Sequence, residues 1–235
     1  MKKIFLLLLV VLSLGLIVLW QVLWAYSTSW YVVAVALLLL SAVPFFARFE
    51  RRAPTARELS LLAVLTALAV VSRAVFYLIP QVKPIAAVVI VSAVCLGPYS
   101  GYMVGAMAVL LSNFIFGQGI WTPFQMTALG LVGLLSGLVL NRNTSSPLKL
   151  AVTGFVLTTV VYGLVVDLST VLMTVTQWNW QSVIAVYAAG VPFDLVFGAS
   201  TAVFLFLFGI PLQKKISRIQ IKYGLFISTA SEVES

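Results

Sequence analysis

Apolar positions along this chain come in long unbroken runs, and polar residues gather in short interruptions between them. A helix needs about 20 apolar residues to cross the hydrocarbon of a bilayer. Eight runs approach that length: residues 4–24, 30–48, 58–79, 84–98, 100–117, 123–141, 149–174 and 183–210. The fourth and fifth are short and meet at "GPYSG", Gly97 to Gly101, whose Gly-Pro pair predicts a tight turn. A membrane barrel would alternate apolar and polar residues instead. The pattern therefore predicts an all-α integral membrane protein.

Composition agrees. The 235 residues are 62% hydrophobic and 9% charged, against about 25% charged in a soluble domain. Net charge is +8, and its placement is more informative than its size. With both termini in the cytoplasm, twelve of the fourteen Lys and Arg residues fall on that side: Lys2, Lys3, Arg48, Arg51, Arg52, Arg57, Arg142, Lys149, Lys214, Lys215, Arg218 and Lys222. Only Arg73 and Lys83 fall toward the outside. Basic residues are retained in cytoplasmic loops, so this excess is topogenic and no nucleic-acid partner is expected. The first run has the shape of a signal peptide, but it is long enough to span and no clear A-x-A site follows, so it is read as a retained span.

Several chemistries are excluded by what is missing. The chain has no histidine and one cysteine, Cys95, which removes imidazole ligation, His-based nucleophile activation and any internal disulfide. No phosphate-binding G-x-x-x-x-G-K-[ST] occurs, nor H-E-x-x-H, nor a cysteine cluster. No metal site and no catalytic residues are expected. Active transport by this chain would draw its energy from a partner.

Three loops of the last six spans emerge outside: residues 79–84, 113–123 and 174–182, reading "IPQVKP", "NFIFGQGIWTP" and "TVTQWNWQS". Their tryptophans suit an interfacial aromatic belt. A belt does not require Asn113, Gln118, Gln125, Gln177, Asn179 and Gln181 on the same side. Aromatic faces with amide donors and acceptors suit an uncharged, polyfunctional organic ligand. Within spans three to eight, apart from Glu58 and Lys149 at their cytoplasmic ends, the ionisable acids and bases are Arg73, Asp167 and Asp194. Such groups are costly in hydrocarbon, so they either pair to fix helix packing or polarise the floor of an outward cavity. Small residues recur four apart at Ala63 and Ala67, Gly101 and Gly105, and Gly133 and Gly137, which allows close helix approach within this bundle or to another membrane subunit.

Taken together, the segment from about Ala56 to Lys215 resembles the substrate-binding (S) component of energy-coupling factor transporters. The resemblance rests on six helices with cytoplasmic ends, the A-x-x-x-A of Ala63 and Ala67, the short pair around "LGPYSG", and "RAVFYLIPQVKP". The composite "SNFIFGQGIWTPFQM", followed by "GLVGLLSGL" and "GVPFDLVFGAS", is most similar to the cobalamin branch. Ile120 and Phe124 depart from that branch, where proline and tryptophan are expected.

The resemblance implies a six-helix bundle preceded by two extra N-terminal transmembrane helices. It implies no enzyme activity in this chain, but capture of a vitamin outside and delivery by toppling on a shared transmembrane coupling subunit with two cytoplasmic ATPases. Cobalamin would be the transported ligand, and no cofactor would be covalently bound. Ala63 and Ala67 would dock the coupling subunit. The outer loops would form and cap the pocket, giving as substrate-binding candidates Asn113, Gln118, Trp121, Gln125, Tyr77, Lys83, Trp178 and Asn179. Lack of histidine argues against the branch that takes bare nickel or cobalt ions.

The expected organisation is residues 1–55 as two N-terminal spans with a basic linker, 56–215 as the substrate-binding domain, and 216–235 as a cytoplasmic tail. The expected location is a bacterial plasma membrane. Alternative readings are an S component for another vitamin or a queuosine-type precursor, or a membrane enzyme acting on a lipid through Asp167 or Asp194. A purely structural subunit would leave the amide-rich loops without a purpose.

Overall fold

The computed structural model describes residues 8, 10–17, 36, 38, 39, 42, 43, 45–47, 49, 50, 54–140, 144, 146–175 and 179–225. From Ala56 onward the described chain is a bundle of six helices joined by short connections. Helix α1, Ala56–Val75, starts on a capping box: Glu58 N–H donates to Thr55 Oγ1 at 3.3 Å, and Thr55 N–H donates to Glu58 Oε2 at 2.9 Å. It ends before a run of tight turns through residues 76–84, where Gln81 takes the left-handed conformation with φ 59°.

Helix α2, Ile85–Leu96, is apolar on every side, and all twelve of its residues are buried. A helix without a polar face belongs in the interior, and α2 packs against α1, α3, α4 and the last helix. At about 1.5 Å per residue its twelve residues reach roughly 18 Å, short of a bilayer core. The predicted Gly-Pro turn follows, with Gly97 at φ 98° and Pro98 in the first turn of α3, Pro98–Phe116.

Helix α4, Thr122–Val139, runs back along α3 at backbone contact. A Cβ on Gly105 would fall on the Leu129 carbonyl, and one on Gly133 would fall on Gly101. These glycines therefore serve packing within the bundle.

The last two helices are long and contain widened turns. Helix α5, Pro147–Thr174, carries a π-helical stretch at Leu157–Tyr162. Helix α6, Trp180–Tyr223, contains Pro192 and a second π-helical stretch at Leu205–Gly209. The apolar pattern placed the end of this span near residue 210, yet the helix continues to a Gly224 cap at φ 64°. Beyond Gly209 it is amphipathic, and Gln220 Nε2 donates to the Cys95 carbonyl at 3.2 Å, one of the carbonyls left open at the end of α2.

Arg57, Lys149 and Lys214 to Lys222 share one end of the bundle, and Arg73 and Lys83 the other. By the positive-inside rule the second end is the outer one. The protein is thus a multi-pass membrane protein with an all-helical bundle.

The predicted spans 4–24 and 30–48 are only partly among the described residues; the described positions are helical. They pack on the α3, α4 and α5 side. Phe45 stacks on Tyr102 with ring centroids 4.2 Å apart, and Val10, Ile17 and Leu38 are buried in the same cluster as Ala106, Phe124 and Leu168.

Candidate functional site at the outer end

All six helices or their connections contribute to a small cavity at the outer end. Its polar wall is Arg73 from the last turn of α1, Gln81 and Lys83 from the following turns, Gln125 of α4 and Tyr162 of α5. Its apolar wall comes from Ile85, Val109, Leu129 and Phe197. The enclosed space is about 30 Å³. Organic-ligand pockets run to about 300–1,000 Å³, so this space has room for about two waters, and an organic ligand would require the outer turns to move apart.

Behind the polar wall runs a continuous hydrogen-bond network. Arg73 donates to Ser112 Oγ at 2.5 Å and to Asn113 Oδ1 at 2.8 Å. Asn113 Nδ2 donates onward to Thr122 Oγ1 at 3.1 Å and to Gln125 Oε1 at 3.0 Å. The Thr122 hydroxyl donates to Gln118 Oε1 and accepts from Gly119 N–H. Gln118 Nε2 closes back on the Leu110 carbonyl at 3.0 Å.

The interruption between α3 and α4 is therefore braced on both sides. Gly117 supplies its turn at φ 108°, a backbone region open to glycine. The Arg73 guanidinium lies 5.0 Å from the centre of the Phe116 ring, and Tyr77 stacks on that ring at 4.7 Å. A cation over an aromatic face gains about 0.5–2 kcal/mol.

The sequence candidates fall into distinct places. Gln125 and Lys83 line the cavity. Asn113 lies in the last turn of α3, not in the loop, and is 1% exposed; it orients Arg73 and Gln125 from behind. Gln118 and Trp121 belong to the connection between α3 and α4 and do not line the cavity; the indole lies across Gly119. Tyr77 is exposed and steadies Phe116. Asn179 caps the start of α6, its Oδ1 accepting from Gln181 N–H at 2.9 Å. Trp178 lies outside the described residues.

Arg73 pairs with neither aspartate; its partners are Ser112 and Asn113. Asp167 and Asp194 do not line the cavity. Each sits against a glycine of the opposite helix: Asp194 on Gly163 of α5, and Asp167 on Gly190 of α6. The spacing is reciprocal, since each helix carries a glycine four residues before its own aspartate. Ser112, Thr122 and Gln81 were present in the quoted loops but overshadowed by the amides. Tyr162 and Phe197 gave no signal, since aromatic residues in apolar spans are ordinary.

Ala63 and Ala67 are exposed on α1, on one face with Val64, Leu68 and Val71. No described helix covers that face.

Residues 54–218 match the family described as "ECF-type riboflavin transporter, S component". The chain belongs to that family. No curated protein and no solved structure gave a significant match. The S-component resemblance read from the sequence is thus supported over the whole described bundle. The cobalamin branch is a finer assignment than this match carries. An S component is a transport subunit, and its family implies a membrane complex with a shared energy-coupling module.

Proposed function

We propose that this S component captures a vitamin, cobalamin in first place, at the outer end of the bundle. It then delivers the vitamin across the membrane by toppling on a shared transmembrane coupling subunit driven by two cytoplasmic ATPases. The observation that supports the reading is the outer cavity, which gathers polar side chains from separate elements, two of them, Arg73 and Gln125, braced through Asn113. Support for cobalamin is the pair of amides, Gln81 and Gln125, and the rings of Tyr162 and Phe197 that line the cavity, matched to a ligand whose periphery carries amides.

Riboflavin is the second reading, favoured by the family description. A flat, mostly neutral ring system would use the same rings of Tyr162 and Phe197. Ala63 and Ala67 serve as the docking face, because they lie on the uncovered side of α1 and leave the backbone accessible to a partner helix.

The test is uptake of labelled cyanocobalamin by cells whose only S component is this chain, co-expressed with a coupling module. Uptake that excess unlabelled cyanocobalamin suppresses and riboflavin does not is the expected result. Suppression by riboflavin alone would replace the ligand, and no uptake of either would remove the vitamin reading.

A further inference from the structure

Two cations, Arg73 and Lys83, line the outer cavity, and among the described residues no acid lines it. The chain has six carboxylates. Glu50 and Glu58 lie at the cytoplasmic end. Asp167 and Asp194 are packed against Gly190 and Gly163. Glu232 and Glu234 belong to the C-terminal tail, outside the described residues. Arg73 donates to neutral acceptors, Ser112 and Asn113. The half-buried Lys83 ammonium has no hydrogen-bond or ion-pair partner among the described residues.

An ammonium carries three donors, and a half-buried cation without a counter-charge is costly. Two such cations on one cavity repel each other as well. Burial, and then the Arg73 charge, hold Lys83 below the ordinary lysine range. The turn that carries Lys83 is held by Pro80 and Pro84 and by the left-handed Gln81, so the lysine is presented on a constrained backbone.

We infer that the Arg73–Lys83 pair seats an anionic group, a carboxylate or a phosphate ester, of the captured molecule. The inference rests on the outer cavity being the ligand site. It narrows the ligand class, because a neutral molecule would leave both charges unmet. Arg73 is fixed by its network and sets the position of the anion. Lys83, with all its donors open, closes on it from the loop side. Cobalamin offers a phosphodiester to such a seat, whereas riboflavin offers no anion.

The test is calorimetric titration of the purified full chain with matched pairs that differ in the anion. Flavin mononucleotide is set against riboflavin and pantothenate against panthenol; cyanocobalamin is set against both cobinamide phosphate and dicyanocobinamide, which differ from each other only in the phosphate. Removing one partner of a desolvated charge pair weakens binding by about thirtyfold or more. The expected result is that the anionic member of one pair binds at least that much tighter than its neutral partner. Which pair responds separates a phosphate ester from a carboxylate.

Lys83→Gln should collapse the preference, and Lys83→Arg should keep most of it, with circular dichroism confirming that both variants fold. Equal binding of a neutral partner, or a preference that survives Lys83→Gln, overturns the anion seat and leaves the proposed function standing. If no member binds, and inorganic phosphate stabilises the wild type no more than the Lys83→Gln variant, both the seat and the outer ligand site are overturned.

Discussion

Small residues four apart occur in two regions of this molecule, with opposite outcomes. On α3 and α4, Gly101, Gly105 and Gly133 bring two backbones into contact and disappear into the core. On α1, Ala63 and Ala67 lie exposed beside Val64 and Leu68. The sequence spacing is the same. What differs is the rest of each helix. Helices α3 and α4 each bury most of their length, whereas α1 keeps one face for the bundle, through Leu61, Leu62, Leu65 and Ala69, and leaves the other uncovered. A small-residue motif thus reports close approach, and only the burial around it tells whether the partner is internal or external.

Substitutions should separate the two regions. The largest effect is expected at Gly105→Leu, where a side chain would meet the α4 backbone at Leu129. Overpacking of this kind costs about 1–3 kcal/mol or more, so thermal unfolding in detergent should show clear destabilisation and ligand binding should be lost with it. Ala63→Trp combined with Ala67→Trp should leave folding and ligand binding unchanged while abolishing uptake with the coupling module. Equal loss of binding and uptake would remove the docking role.

Asn113→Leu is expected to fall between structure and function. It strips Arg73, Thr122 and Gln125 of one partner each. Leaving buried polar groups unpaired costs about 1–3 kcal/mol, so both melting temperature and ligand affinity should drop, by less than in Gly105→Leu. An unchanged melting temperature would mean that the network does not brace the loop.

The smallest effect concerns pH. Because Lys83 is held below its ordinary value in the fold, the unfolded chain binds more protons as pH rises toward that value. Stability contributed by this site therefore increases with pH in that window. Lys83→Gln should remove that increase, measured as the difference between the two thermal unfolding profiles.

Much of the fold was legible, because membrane helices announce themselves by length and apolarity. Where the reading slipped, the cause was local. Asn113 looked like a loop residue because a polar side chain near Gly117 suggests a helix end, yet α3 continues to Phe116 and uses the amide inside the bundle. The last helix passes residue 210 because its cytoplasmic half turns amphipathic instead of stopping, with Pro211 tolerated just after a widened turn.

The site was legible only in part. The motif from Ser112 to Met126 contributes Gln125 to the cavity, and Lys83 lines it from the turns after α1. Arg73 offered two acidic partners on paper, but helix rotation aims it at Ser112 and Asn113, and rotation is not written in hydropathy. Tyr162 and Phe197 reach the cavity from helices whose sequence around them is uniformly apolar. Only the assembled bundle shows that they converge.

The most direct test is titration of the purified protein, without partner subunits, with cyanocobalamin by calorimetry, followed by riboflavin. The account predicts one-to-one binding of a vitamin by the isolated chain, cyanocobalamin first. A folded protein that gives no heat with either ligand would contradict it.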